Sequence, residues 1–177
     1  MGARKRKLRK TKADWTVTDW EKWLWKIFSQ YIRLRDCIKS LGAVDRGKCV
    51  TCGRIYPFKK LQAGHFVPGR TRAVLFDERC VHAQCFLCNM KPDHTDVVLF
   101  DDSDTHAQCY RCNHKLSGAW PAYYRFMQQE YGQAVVEELI DNYGVDCKLT
   151  PEWFEQSYKY YEWCVSEMRR TGALVED

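Results

Sequence analysis

The sequence predicts an α+β fold in which α-helices flank a small, metal-supported core. Three observations carry that prediction. Apolar residues recur at helical spacing near both ends of the chain. The middle is rich in Cys, His, Gly and Asp and has few long periodic runs. Within that middle lie three Cys-x-x-Cys pairs, the signature of metal-bound loops and hairpins. At 177 residues, one compact domain with a modest core is expected.

Residues 1–13 read as a flexible basic arm. Arg4, Lys5, Arg6, Lys7, Arg9, Lys10 and Lys12 are seven of the 28 cations, with no acid among residues 1–12. The remainder holds 21 cations against 23 acids, so the arm alone makes the protein basic. Such an arm releases counterions from a phosphate backbone and adds sequence-independent affinity for nucleic acid. No apolar run reaches the ~18 residues that span a bilayer, and no apolar segment follows the basic stretch. These features predict neither a membrane span nor a signal peptide, but a cytoplasmic protein in which paired cysteines bind metal rather than form disulfides.

Residues 14–46 predict a helix. Trp20, Trp23, Leu24, Ile27, Phe28, Tyr31, Ile32 and Leu34 recur at spacings of three and four, Thr18 or Asp19 is placed to cap the start, and Gly42 to cap the end. Its aromatic residues are expected in the core. Lys22, Lys26, Arg33, Arg35 and Lys39 would offer DNA a basic face. After Pro121 the helical period returns through Tyr124, Phe126, Met127 and Tyr131, then through Val135, Val136, Leu139 and Ile140. Pro151 suits the first turn of a last helix carrying Phe154, Tyr158, Tyr161 and Val165. Residues 121–177 are thus a C-terminal helical segment, and Cys37, Cys147 and Cys164 read as small apolar residues.

Residues 47–120 form the expected core. Cys49-Val-Thr-Cys52-Gly53 reads as a zinc knuckle, with the glycine letting the chain turn so that amides face the thiolates. A fifteen-residue stretch then occurs twice, LFDERCVHAQCFLCN at Leu75–Asn89 and LFDDSDTHAQCYRCN at Leu99–Asn113. Each copy ends in Cys-x-x-Cys-Asn and offers a second pair, Cys85/Cys88 or Cys109/Cys112. Between knuckle and first copy, Leu61-Gln62-Ala63-Gly64-His65-Phe66 alternates like a short strand.

A histidine on a strand between two zinc-binding pairs resembles the plan of the His-Me finger, or HNH, nucleases. Over residues 28 to 140 the chain resembles the phage recombination proteins called Rap or NinG, related in plan to the phage junction resolvase endonuclease VII. The matching elements are Tyr31-Ile32-Arg33-Leu34-Arg35-Asp36, Cys49/Cys52, Ala63-Gly64-His65-Phe66, Phe76-Asp77-Glu78-Arg79, Val81-His82-Ala83-Gln84-Cys85 with Cys88-Asn89, and Lys115 through Gly118.

The resemblance implies a ββα-metal core, structural Zn²⁺ (one ion or two), and a catalytic Mg²⁺ or Mn²⁺. It implies His65 as the general base and, as metal ligand, the asparagine after the second Cys-x-x-Cys: Asn113 or Asn89. His106 and His82, matched in the two copies, are further candidate ligands. It implies a phage-encoded endonuclease in the host cytoplasm, hydrolysing phosphodiester bonds in branched, Holliday-junction-type DNA, with recombination proteins as partners. A homodimer is expected of an enzyme that cuts two strands symmetrically, with the Trp-rich helix as an interface. Arg70, Arg72, Arg79 and Lys115 would add to the DNA contacts of the arm. Other readings are a general duplex nickase and a non-catalytic zinc module that binds DNA.

The chain departs from the family pattern at three points. Gly64 precedes the base where many HNH enzymes have an acidic ligand, although the Rap-like branch shares it. The middle asparagine is Cys80 in copy one and Asp104 in copy two. Ser117-Gly118-Ala119 stands for Ser-Gly-Asn.

Three arrangements of the pairs remain open. Cys85/Cys88 can close the site with Cys49/Cys52, Cys109/Cys112 can do so, or the two copies can bind a metal together. Spacing from Cys52 favours copy one. Continuity into the helix at Pro121 favours copy two, which also keeps an acid at Asp104. Because a longer loop costs only ~0.6 kcal/mol per doubling, continuity weighs more and copy two is preferred.

Overall fold

The computed structural model describes residues 11–67, 71–86, 89 and 120–175. Copy two, with Cys109 and Cys112, lies outside them, as do the arm residues 1–10, Arg70, Cys88 and Lys115. The described residues build an α+β fold with small antiparallel sheets.

Helix α1 spans Val17–Leu41. Its cap is Thr16, not Thr18 or Asp19. The Asp19 amide donates to Thr16 Oγ1 at 3.3 Å and the Thr16 amide to Asp19 Oδ2 at 3.0 Å, a reciprocal pair that satisfies two otherwise orphaned donors. Gly42 ends the helix in the left-handed conformation (φ +61°), donating to the Ile38 carbonyl at 2.8 Å.

Strands β1 (Arg46–Lys48) and β2 (Ile55–Pro57) form one antiparallel pair, β3 (Leu61–His65) and β4 (Val81–Cys85) the other. A one-turn helix, α2 (Arg72–Leu75), stands between β3 and β4 and buries Val74 and Leu75. In the second pair Leu61 faces Cys85, Gln62 faces Gln84, Gly64 faces His82 and His65 faces Val81. The Phe66 amide donates to the Cys80 carbonyl at 2.7 Å and extends the ladder by one bond.

The chain ends in helices α3 (Trp120–Tyr131), α4 (Gln133–Asp141) and α5 (Pro151–Thr171). Pro151 begins α5 as the first-turn proline that the sequence predicts, capped by Thr150. The main core forms where α1 packs along α5. Phe28 meets Tyr161 edge-on at 5.0 Å, Trp20 stacks near Phe154 at 6.1 Å, and Trp23 lies flat on Tyr158 at 4.0 Å. The tryptophans of α1 are thus used within the chain. Lys12 adds a cation–π contact, its Nζ 4.2 Å from the Trp23 ring, and an ion pair with Glu155 at 2.9 Å.

Not all of the expected basic face of α1 is a face. Arg35 is 6 % exposed and belongs to the core, and Lys39 pairs with Glu130 at 3.3 Å. Arg35 donates to Asp36 Oδ1 (2.9 Å), to the Glu78 carbonyl (2.8 Å) and to the Val81 carbonyl (2.9 Å). Asp36 accepts the Ala83 amide at 2.6 Å. One helical turn thereby ties α1 to β4. No helix among the described residues is long and apolar enough to cross a membrane.

Candidate metal and nuclease site

The knuckle is built by a tight turn. The Cys49 amide donates to the Arg54 carbonyl at 2.9 Å, and Gly53, at φ +69°, donates back to the Cys49 carbonyl at 2.9 Å. A side chain at Gly53 would strain this left-handed position, as the sequence anticipates. The Val50 amide donates to the Ala83 carbonyl at 3.0 Å and docks the turn on β4.

That docking brings Cys85 to the knuckle. The ligand atoms of Cys49, Cys52 and Cys85 all lie within 4.8 Å of one another, in a geometry that could bind a metal such as zinc. The described cysteine that joins the knuckle therefore comes from copy one, against the preference drawn from continuity. The other half of that pair, Cys88, lies outside the described residues, and so do Cys109 and Cys112, the pair of copy two.

The surroundings suit a metal-bound thiolate. Burial pushes the Cys49 thiol up to about 11, while backbone N–H groups of Cys52, Cys85 and Thr51 hydrogen-bond its sulfur and work the other way. A cation must displace the proton, after which those amides stabilise the thiolate. The Tyr56 hydroxyl hydrogen-bonds Cys85, the main reason that its own ionisation is pushed up to about 12.

His65 closes β3. Its ring stacks on Trp25 of α1 (5.0 Å, 15°), and its Nε2 lies 3.1 Å from the Leu75 carbonyl at the end of α2. A carbonyl can only accept, so Nε2 carries the proton and the lone pair of the neutral ring is on Nδ1. Three elements therefore fix both the plane and the tautomer of the expected base.

Asn89 has helical backbone and comes back over β3, where its Nδ2 donates to Gln62 Oε1 at 2.6 Å. That acceptor orients the amide and turns Oδ1 toward Gly64. A Cβ on Gly64 would stand 2.6 Å from Asn89 Oδ1 and would collide with the Gln84 amide oxygen. Glycine before the base is thus required by close approach: two amide oxygens already occupy the space that a side chain would need. In the sequence, Gly64 reads as the loss of an acidic ligand, and Gln84 stands within a matching element without a role of its own. The available signal is that Gln84, like its counterpart Gln108, recurs in both copies.

Other expected residues are placed differently. His82 is 2 % exposed, with Nδ1 3.0 Å from Arg35 Nη2 and Nε2 3.0 Å from the Arg79 carbonyl. Both ring nitrogens are engaged in the buried network. Arg72 pairs with Glu21 and Asp146 at 2.9 Å each, and Arg79 with Asp77 at 2.8 Å and Glu138 at 2.9 Å. Either arginine would have to give up carboxylates to meet a phosphate. Cys80 is fully buried in the main core. Asn113, Asp104 and His106 lie outside the described residues, as do Arg4, Lys5, Arg6, Lys7, Arg9 and Lys10 of the arm, Arg70 and Lys115.

Comparison with known proteins gives one family. The model described as Bacteriophage Lambda NinG protein matches residues 2–100, more than half of the chain and all of the knuckle, β3, β4 and copy one. No curated protein and no solved structure matches.

Proposed function

Because the chain belongs to the NinG family of phage recombination proteins, we propose that it is a metal-dependent DNA endonuclease of the HNH class acting on branched recombination intermediates. The observation that carries this reading is the pairing of an oriented histidine, His65, with the Asn89 oxygen turned onto the adjacent residue of the same strand. A hard divalent ion of the Mg²⁺ or Mn²⁺ class supplies, when bound, charge neutralisation at the phosphate and at the leaving oxygen. Asn89 would hold it through Oδ1, an oxygen donor suited to such ions. His65 takes the proton of the attacking water, with the Leu75 carbonyl and Trp25 keeping the ring in place. The trio of Cys49, Cys52 and Cys85 would fix a structural zinc next to β4, the strand that leads into Asn89. The basic arm would supply salt-dependent affinity for DNA.

Cleavage of a four-way junction and of plain duplex, with Mg²⁺ or Mn²⁺, tests the reading. The wild type is expected to cut the junction in preference to the duplex, and His65→Ala to cut about 10²–10⁴-fold more slowly. Equal cutting of both substrates would make the protein a general nickase or nuclease. Absence of cutting would leave a zinc-dependent DNA-binding module. Equal rates for His65→Ala and wild type would remove His65 as the base.

A further inference from the structure

We infer that the Gln84 amide oxygen is a ligand of the divalent ion, paired with Asn89 Oδ1 above Gly64 and standing where an acidic residue before the base would otherwise reach. The inference rests on the nuclease reading for the purpose of the ion, but not for the geometry that holds it.

Gln84 lies on β4 directly opposite Gln62, and it is 4 % exposed. A glutamine so deeply buried needs its polar atoms placed. Its Nε2 donates to Thr51 Oγ1 in the zinc knuckle at 2.6 Å. That bond turns Oε1 the other way, into the space above Gly64, where a Cβ would overlap it. Asn89 Oδ1 is drawn to the same point, because Asn89 Nδ2 is held by Gln62 Oε1. Two amide oxygens cannot hydrogen-bond one another, since neither has a proton to give. A cation near that point would be held by both, and neutral carbonyl-type oxygens are ligands that Mg²⁺ and Mn²⁺ accept.

The two knuckle cysteines and the ion would therefore share a support. Thr51 lies between Cys49 and Cys52 and holds Gln84, which immediately precedes Cys85. In the repeat, Gln84 and Gln108 hold the same place before the first cysteine, as Asn89 and Asn113 do after the second.

The test uses the full-length, zinc-loaded protein, with Mn²⁺ binding followed by electron paramagnetic resonance of the free ion. Gln84→Leu is expected to weaken Mn²⁺ binding roughly tenfold or more, and Gln84→Glu, which adds a formal charge, to tighten it roughly tenfold. Zinc content and melting temperature without Mn²⁺ report whether each variant folds. Should Gln84→Leu fail to fold, Gln84→Glu decides: tighter binding supports the ligand, and unchanged binding overturns it. Wild-type affinity in both variants, or no Mn²⁺ binding by the wild type at millimolar concentration, also overturns it. If Mn²⁺ binding is insensitive to Gln84 while junction DNA is cut, only the ligand assignment fails. If binding depends on Gln84 but no DNA is cut, the nuclease reading fails and the ligand stands.

Discussion

Arg35 is a permanent cation inside a protein core, and Asp36 is what keeps it there. Burial pushes the Asp36 carboxyl up, but the Arg35 guanidinium beside it and the hydrogen bond to His82 outweigh that and hold it well below the usual carboxylate range. Removing the carboxylate leaves Arg35 buried without its charge partner. Asp36→Ala is therefore expected to lose about 3–5 kcal/mol in urea unfolding. The pH dependence follows from the same shift. Asp36 titrates lower in the folded chain than in the unfolded one, where about 3.9 is normal. Its contribution is present in full above roughly pH 5 and drains as pH falls from the ordinary carboxylate range through the lower folded-state value. Acid unfolding compared between wild type and Asp36→Ala should show that part of the slope missing from the variant. This network is only half legible in the sequence. Arg35 reads as part of a basic face because cations are seldom buried, although its place three residues after Ile32 and seven after Phe28 lies on the apolar stripe.

At the scale of elements, the long helices are legible from their periodicity and the short pieces are not. Helix α2 has four residues, too few for any period to register. The cap of α1 lies two residues before Thr18 because its box uses Asp19 at the third helical position, where a Glu or Gln is the stronger cue. Strand β1 has no sequence signal at all, and its middle residue explains how closely it packs. A Cβ on Gly47 would stand 2.6 Å from Cys37 Sγ and 2.8 Å from the Cys37 backbone. A thiol can rotate, but the helix backbone cannot yield without moving α1. Gly47→Ala is expected to destabilise the protein by about 1–3 kcal/mol, measured as a lower urea midpoint at unchanged slope. Gly53→Ala would act through φ instead, having no neighbour within 4 Å of its added carbon.

For the whole molecule, the repeat is the hardest feature to resolve. Spacing points to copy one and continuity to copy two. Loop entropy discounts spacing only where the intervening chain is a loop, and here it carries the paired strands β3 and β4. The antiparallel register of that pair sets Cys85 against Leu61, and a bond from Val50 to Ala83 docks the knuckle beside it. Once that pairing forms, Cys85 is delivered to Cys49 and Cys52 at almost no further cost in chain entropy. Zinc should therefore depend on copy one. Cys85→Ser is expected to lower the zinc content by one ion per chain and to destabilise the fold, as measured by metal analysis and melting temperature. Cys109→Ser and Cys112→Ser should each retain that ion. The reverse result would return the site to copy two. Cys49, Cys52 and Cys85, the strand bearing His65 and the place of Asn89 after its pair are legible because each has a local pattern. The buried glutamine is not, because only the folded hairpin places its oxygen above a glycine.

The bond from the Ala83 amide to Asp36 has a consequence for fidelity of assembly. A two-stranded ribbon with alanines at its centre has little of its own to oppose a slip, and a shift by one residue would turn each side chain of β4 to the opposite side. The thiol of Cys85 would then leave the knuckle, and the Gln84 oxygen would leave Gly64. The carboxylate on α1 accepts from one particular amide of β4, so the helix serves as a ruler against which the strand is set. Errors in setting that ruler would leave a chain with helices in place but with the Cys85 thiol away from Cys49 and Cys52.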